Sequence, residues 1–218
     1  MKEREFFSVL VEKTRVAFNQ SDINKNFPDK DWYYSVCATP IRKNKPIFMG
    51  LNWGVSKPNK NFKGHKPQVD YPSGDIGSWR TKTLIDKYLV NYFGYRSDQV
   101  NYSNLCFFRS EKEDQLTQSD WRDSIALFKE YVEYINPPYL IMMGIPKHLN
   151  ENEIKEIKTQ GYRPKNKPKT YYLRTATLFE KFPLASVPHP AAPVYSEARK
   201  ALWDMLIKTE HFNGWSKV

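Results

Sequence analysis

The sequence predicts an α/β protein, a three-layer sandwich with a central, mostly parallel sheet, and three observations carry that expectation. Short apolar runs bounded by Gly or Pro alternate with stretches of helical apolar spacing, the rhythm of a sheet covered on both faces. The run Tyr139-Leu140-Ile141-Met142-Met143-Gly144 is apolar throughout, as a parallel strand buried on both sides must be. Three polar residues, Asn52, Asn104 and His189, stand at or near strand ends, where open α/β sheets hold their ligands.

A chain of 218 residues, 40% hydrophobic and 27% charged, suits one globular domain over 1–218, with no internal repeat and no linker. Lys and Arg number 34 against 24 Asp and Glu, and this excess points to a polyanionic partner such as nucleic acid. Cys37 and Cys106 are too few for a disulfide framework or a four-cysteine metal site, so a reducing, cytoplasmic setting is expected. The acidic start Met1-Lys2-Glu3-Arg4-Glu5 lacks a signal peptide's apolar segment, and no run approaches the length of a membrane span. A soluble monomer is the expectation.

In chain order, Phe6, Leu10 and Ala17 with Phe7, Val11 and Phe18 predict an amphipathic helix over 3–19, followed by a polar loop over 19–30. Trp32-Tyr33-Tyr34-Ser35-Val36-Cys37-Ala38 has strand composition, closed by Pro40. Pro46 to Gly54 reads as an apolar strand ending in a tight turn that holds Asn52 between Gly50 and Gly54. Residues 55–78 carry six Gly or Pro breakers with Lys57, Lys60, Lys63 and Lys66, and so predict a flexible, basic flap over a site. Thr81 to Phe93 reads as a helix stopped by Gly94, and Val100 to Arg109 as a strand with an unusual internal Asn104.

Thr117-Gln118-Ser119-Asp120 is a capping signal for a helix that carries Trp121, Ile125, Phe128, Val132 and Ile135 to Asn136-Pro137-Pro138. After the strand 139–144, a helix is expected over 150–160, stopped by Gly161. The segment 163–169 is a basic turn, and Thr170 to Leu178 alternates as a strand. Leu184 to Val187 is a short strand that delivers His189 between two prolines, ahead of a helix with Ala198, Leu202 and Met205 on one face. Flanking prolines fix the backbone, as a preorganised electrostatic group requires.

Gly50-Leu51-Asn52-Trp53-Gly54 resembles the Gly-x-Asn-Pro-Gly motif of the uracil-DNA glycosylase superfamily, in its mismatch-specific and single-strand-selective monofunctional branches. Asn104-Leu105-Cys106 is similar to the Asn-Leu-Cys strand of the single-strand-selective branch. Tyr139 to Gly144 resembles the family's central strand, and His189-Pro190-Ala191-Ala192 its His-Pro-Ser-Pro motif. The resemblance spans roughly residues 45–207, with the motifs in family order. It departs at Trp53, where the family has Pro, and at Ala191, where it has Ser.

The resemblance implies a metal-independent hydrolase that breaks the N-glycosidic bond of uracil or a related damaged base in DNA, single- or double-stranded. Asn52 would position the water, His189 would donate to uracil O2 as charge develops there, and Asn104 would read the Watson–Crick edge of the flipped base. Gly50 and Gly54 would line the base and Tyr71 would stack on it, with Trp79 and Phe62 as rivals for that place. Lys57, Lys60 and Lys63 would meet DNA, and Pro193-Val194-Tyr195 would stand where the family inserts a loop into the duplex. Two other functions fit the same residues. One is a glycosylase-fold module that binds DNA or a modified base without cleaving, and the other is an α/β protein for a free nucleotide.

Overall fold

The computed structural model describes residues 1–54, 66–73, 80–190, 192–210 and 212. The helices are α1 (Glu3–Gln20), α2 (Asp22–Asn26), α3 (Arg80–Phe93), α4 (Gln118–Ile135) and α5 (Ser196–Leu206). The strands are β1 (Ile47–Trp53), β2 (Asn101–Arg109), β3 (Leu140–Met143), β4 (Ile154–Tyr162), β5 (Tyr171–Leu178) and β6 (Phe182–Val187). All six form one sheet in the order β2-β1-β3-β6-β5-β4. The first four are mutually parallel, and β5 and β4 extend the sheet as antiparallel strands.

Apolar side chains divide between the two faces of this sheet. Phe7, Leu10 and Phe18 of α1 and Ile125, Phe128 and Val132 of α4 meet Met49, Leu105 and Phe107 on one side. Ile85, Leu89 and Phe93 of α3 and Ala198, Leu202 and Trp203 of α5 meet Phe48, Tyr102 and Ile141 on the other. The architecture is therefore a mostly parallel sheet flanked by helices, as expected. Helix α4 begins where the capping signal stands: the Thr117 hydroxyl accepts from the Asp120 amide at 3.2 Å, and the Asp120 carboxylate accepts from the Thr117 amide at 2.9 Å. It ends at Asn136, which takes the left-handed conformation. Among the described residues no helix is long and apolar enough to cross a membrane.

Four local expectations are corrected. The helix expected over 150–160 is strand β4, because pairing with β5 across Ile154↔Leu178 to Tyr162↔Tyr171 outweighs the local spacing of Ile154 and Ile157. The segment 32–38 forms no continuous strand. It lies along the outer edge of β2 with isolated bridges at Tyr34↔Phe108 and Cys37↔Ser103. There the Gln68 carboxamide replaces a neighbouring strand, accepting from the amides of Val36 (2.7 Å) and Cys37 (3.2 Å) and donating to the Cys37 carbonyl (2.7 Å). The loop over 19–30 contains α2, capped by the Ser21 hydroxyl. Strand β1 continues through Asn52 to Trp53, where its register against β2 shifts past Phe107 and Phe108, so Asn52 belongs to a strand end and not to a turn.

Trp203 fastens α5 to α3 and the sheet: it is 4% exposed and stacks on Tyr88 (centroids 5.3 Å), Tyr92 (5.6 Å) and Phe48 (6.3 Å). Trp203→Ala is expected to lower unfolding free energy by about 3–5 kcal/mol in denaturant titration. A loss below about 1 kcal/mol would show that this stack does not hold the layer.

Candidate functional site

The site is built at the carboxyl ends of the parallel strands. In β1, Phe48, Gly50 and Asn52 alternate onto the face covered by α3 and α5. Gly50 pairs in register with Asn104, and Tyr102 and Asn104 share that face on β2. A Cβ on residue 50 would collide with Asn104 Oδ1, so the amide lies in space that only glycine leaves open. Asn104 is 5% exposed, yet its carboxamide makes no hydrogen bond among the described residues. Among the described residues the carboxamide thus keeps its donor and its acceptor unused.

Asn52 stands two residues further along β1, about 7 Å up the same face. Its Nδ2 donates to the Ser110 hydroxyl at 2.8 Å, which turns Oδ1 away as the free acceptor of the amide. Trp53, at the register shift, places its ring edge-on to Tyr102 with centroids 6.2 Å apart. Its indole nitrogen is sealed without a hydrogen bond. Arg109, opposite Trp53 in register, donates to the Gly54 carbonyl at 3.0 Å and to the Ser35 hydroxyl at 2.9 Å. Gly54 therefore contributes its carbonyl to fixing Arg109.

His189 follows β6, two strands from β1, so about 10 Å of sheet separates it from Asn52. Its turn is held from α5. The guanidinium of Arg199, 7% exposed, donates to the carbonyls of His189 (3.0 Å), Ala192 (3.0 Å) and Pro188 (3.4 Å). Gly144 ends β3 beside it at φ 137°, where a Cβ would press on Leu51 at 3.2 Å. Its amide donates to the Val187 carbonyl at 2.9 Å. His189 borders a cavity of about 440 Å³ with Gly144, Tyr171, Arg174, Ser186 and Val194. Asn52 and Asn104 do not line that cavity. The three residues share one end of the sheet, and β3 stands between the asparagines and the histidine.

Burial, reinforced by the positive charge of Arg199, holds the His189 imidazole below its ordinary pKa. It is thus neutral at pH 7, with one N–H to donate and no charge of its own.

The remaining candidates fall in different places. Tyr71 packs on the opposite face: its ring meets Phe7 edge-on at 5.2 Å, its hydroxyl accepts from the Ile41 amide at 2.8 Å, and Arg4 lies over the ring. Pro193 and Val194 line the His189 cavity. Tyr195 is exposed beside it, edge-on to Tyr171 at 6.2 Å and under Lys167 Nζ at 4.9 Å. Lys57, Lys60, Lys63, Phe62, Trp79 and Ala191 lie outside the described residues, as does most of the expected flap. Its described part, 66–73, is tied to the 34–41 segment by Gln68 and Tyr71. Among the described residues no three His, Cys, Asp or Glu side chains gather as a metal would require.

Arg109, Ser110 and Arg199 were not singled out from the sequence. Arg199 has a legible signal, a cation inside the apolar stripe Ala198, Leu202, Trp203 and Leu206 of α5. Arg109 and Ser110 carry none, because only the register shift after Asn52 brings them to the site.

The neutral state of His189 is checked by NMR titration of its ring nitrogens, with a midpoint expected below 6.5. Because the folded value lies below the unfolded one, this group's contribution to stability is present above the unfolded pKa and lost as pH falls through that range. A midpoint at or above 6.5 would contradict the burial of the ring. No protein-family model and no curated protein matches the chain.

Proposed function

We propose that the protein is a monofunctional DNA glycosylase that hydrolyses the N-glycosidic bond of uracil or a related damaged base. The observation that carries this reading is the Asn104 amide, nine-tenths buried and without a hydrogen bond among the described residues, seated over Gly50 in the middle of the parallel β1–β2 pair. A carboxamide offers one acceptor and one donor edge, and the O4–N3 edge of uracil presents the complement. Strand β2 lies three strand spacings from β6, about 14 Å.

Bond cleavage leaves negative charge on the departing base and positive charge on the sugar. A neutral His189, fixed through its backbone by Arg199, suits a donor to the base oxygen, since it adds no cation beside the forming oxocarbenium. Asn52, its nitrogen held by Ser110, keeps Oδ1 to accept from the attacking water. An amide orients that water without deprotonating it, so the enzyme is expected to be slow beside one with a carboxylate there.

One observation favours a second reading, a module that binds the same ligand without cleaving it. The Trp53 ring turns onto the face shared with Asn52 and Asn104 and occupies room next to the water position. Oligonucleotides containing uracil, single-stranded and duplex, separate the two through alkali-labile abasic sites. The glycosylase reading expects product, lost about 10²–10³-fold in His189→Ala. It expects a comparable loss in Gly50→Ala, whose methyl displaces Asn104 while the fold stays intact. Binding without product from the wild type establishes the second reading, and neither binding nor product defeats both.

A further inference from the structure

Arg109 is a partly buried cation whose charge no described residue offsets. Among the described residues no carboxylate pairs with it. Its guanidinium has five N–H groups, and the protein uses two, on the Gly54 carbonyl and the Ser35 hydroxyl. Nε is sealed from solvent without an acceptor, and the Trp53 ring lies 5.5 Å from the guanidinium carbon. Burial alone takes the group down to a pKa of about 10, so it remains charged at neutral pH. Isolating a charge in this way is costly unless an anion completes the site. The two neutral acceptors hold the fork without neutralising it, which leaves the second N–H of each Nη for an oxyanion.

The location says which anion. Arg109 and Ser110 are consecutive, and Ser110 holds Asn52, so the cation stands beside the group assigned to the attacking water. In a nucleic-acid strand the groups that flank the sugar are phosphodiesters, each with one negative charge. The geometry points to Arg109 as the receiver of a phosphodiester oxygen next to the nucleotide in the site, so that the ends of β1 and β2 form part of the strand path. This inference rests on the proposed glycosylase or base-binding function, and it places the strand backbone on the side of the sheet away from the His189 turn. It also gives Trp53 a role: the indole covers one face of the guanidinium and keeps water from it, so substituting the ring loosens the phosphate contact as well.

The test is the salt dependence of binding, read by fluorescence anisotropy on a labelled single-stranded oligonucleotide with one abasic-site analogue. Arg109→Gln keeps a partner for Gly54 or Ser35 without the charge, and Arg109→Met removes both, so one of the pair serves if the other fails to fold. Either folded variant is expected to bind at least tenfold more weakly at low salt. The slope of log K against log salt should shrink by about 0.7–0.9, the share of one phosphate contact. Affinity and slope equal to wild type in a folded variant overturn the inference, as does a wild type that binds no oligonucleotide. A parallel arm measures thermal unfolding with inorganic phosphate. If phosphate raises the wild-type midpoint and leaves Arg109→Gln unmoved while no oligonucleotide binds, the site serves a small phosphorylated ligand and the strand path is refuted. A wild type that binds with the full slope but releases no base defeats the glycosylase reading and leaves the Arg109 assignment standing.

Discussion

The contact on which the site depends is steric: Asn104 has a place for its amide only because residue 50 carries no side chain. Parallel pairing of β1 with β2 brings the two into register, and the alternation of side chains fixes the face they share. A one-residue slip of β2 would send Asn104 into the opposite layer, among Met49, Leu105 and Phe107, and a slip of β1 would set a side chain in place of Gly50 against it. The apolar cores on the two faces therefore hold the register that seats the Asn104 amide over Gly50. The same logic recurs at Gly144, where close approach of Leu51 and a left-handed backbone both demand glycine, and where β3 ends so that the His189 turn can lie beside it.

Two arginines divide the electrostatic work. Arg199 spends its guanidinium on the carbonyls of Pro188, His189 and Ala192, which fixes His189 through its backbone, while burial, reinforced by the Arg199 charge, keeps the imidazole neutral. Arg109 leaves most of its donors unused beside Asn52. One cation is thus built into the protein's own framework, and the other is the one proposed to meet a phosphodiester. Together they set a gradient across the strand ends, with a free positive charge at the β1–β2 end and a neutral hydrogen-bond donor at the β6 end. A ligand that is anionic along its backbone and neutral at its base matches that arrangement.

Much of this was legible in the sequence because it is periodic or local. The buried strand 140–143, the capped helix α4 and the Gly94 stop of α3 (φ 72°) all follow from patterns within a few residues. Placement of His189 after a strand end was legible for the same reason, whereas Asn104, expected near a strand end, lies in the interior of β2. What escaped depends on partners far along the chain. Strand β4 exists because β5 pairs with it, and Gln68 ties down the 34–41 segment from 30 residues away. Gly50 read as a turn former, whereas its purpose is to admit Asn104 from another strand. Tyr71 read as a base-stacking ring from its flap context, and its hydroxyl instead closes onto Ile41 below α1.

The central claim is that the Asn104 carboxamide reads a pyrimidine edge, and its side-chain NH₂ resonances test this most directly. With the protein bound to DNA carrying an abasic-site analogue, added uracil is predicted to shift both Asn104 Nδ2 protons, in a manner lost in Gly50→Ala. Asn104 resonances that stay in place at saturating uracil, while other residues respond, would contradict the account.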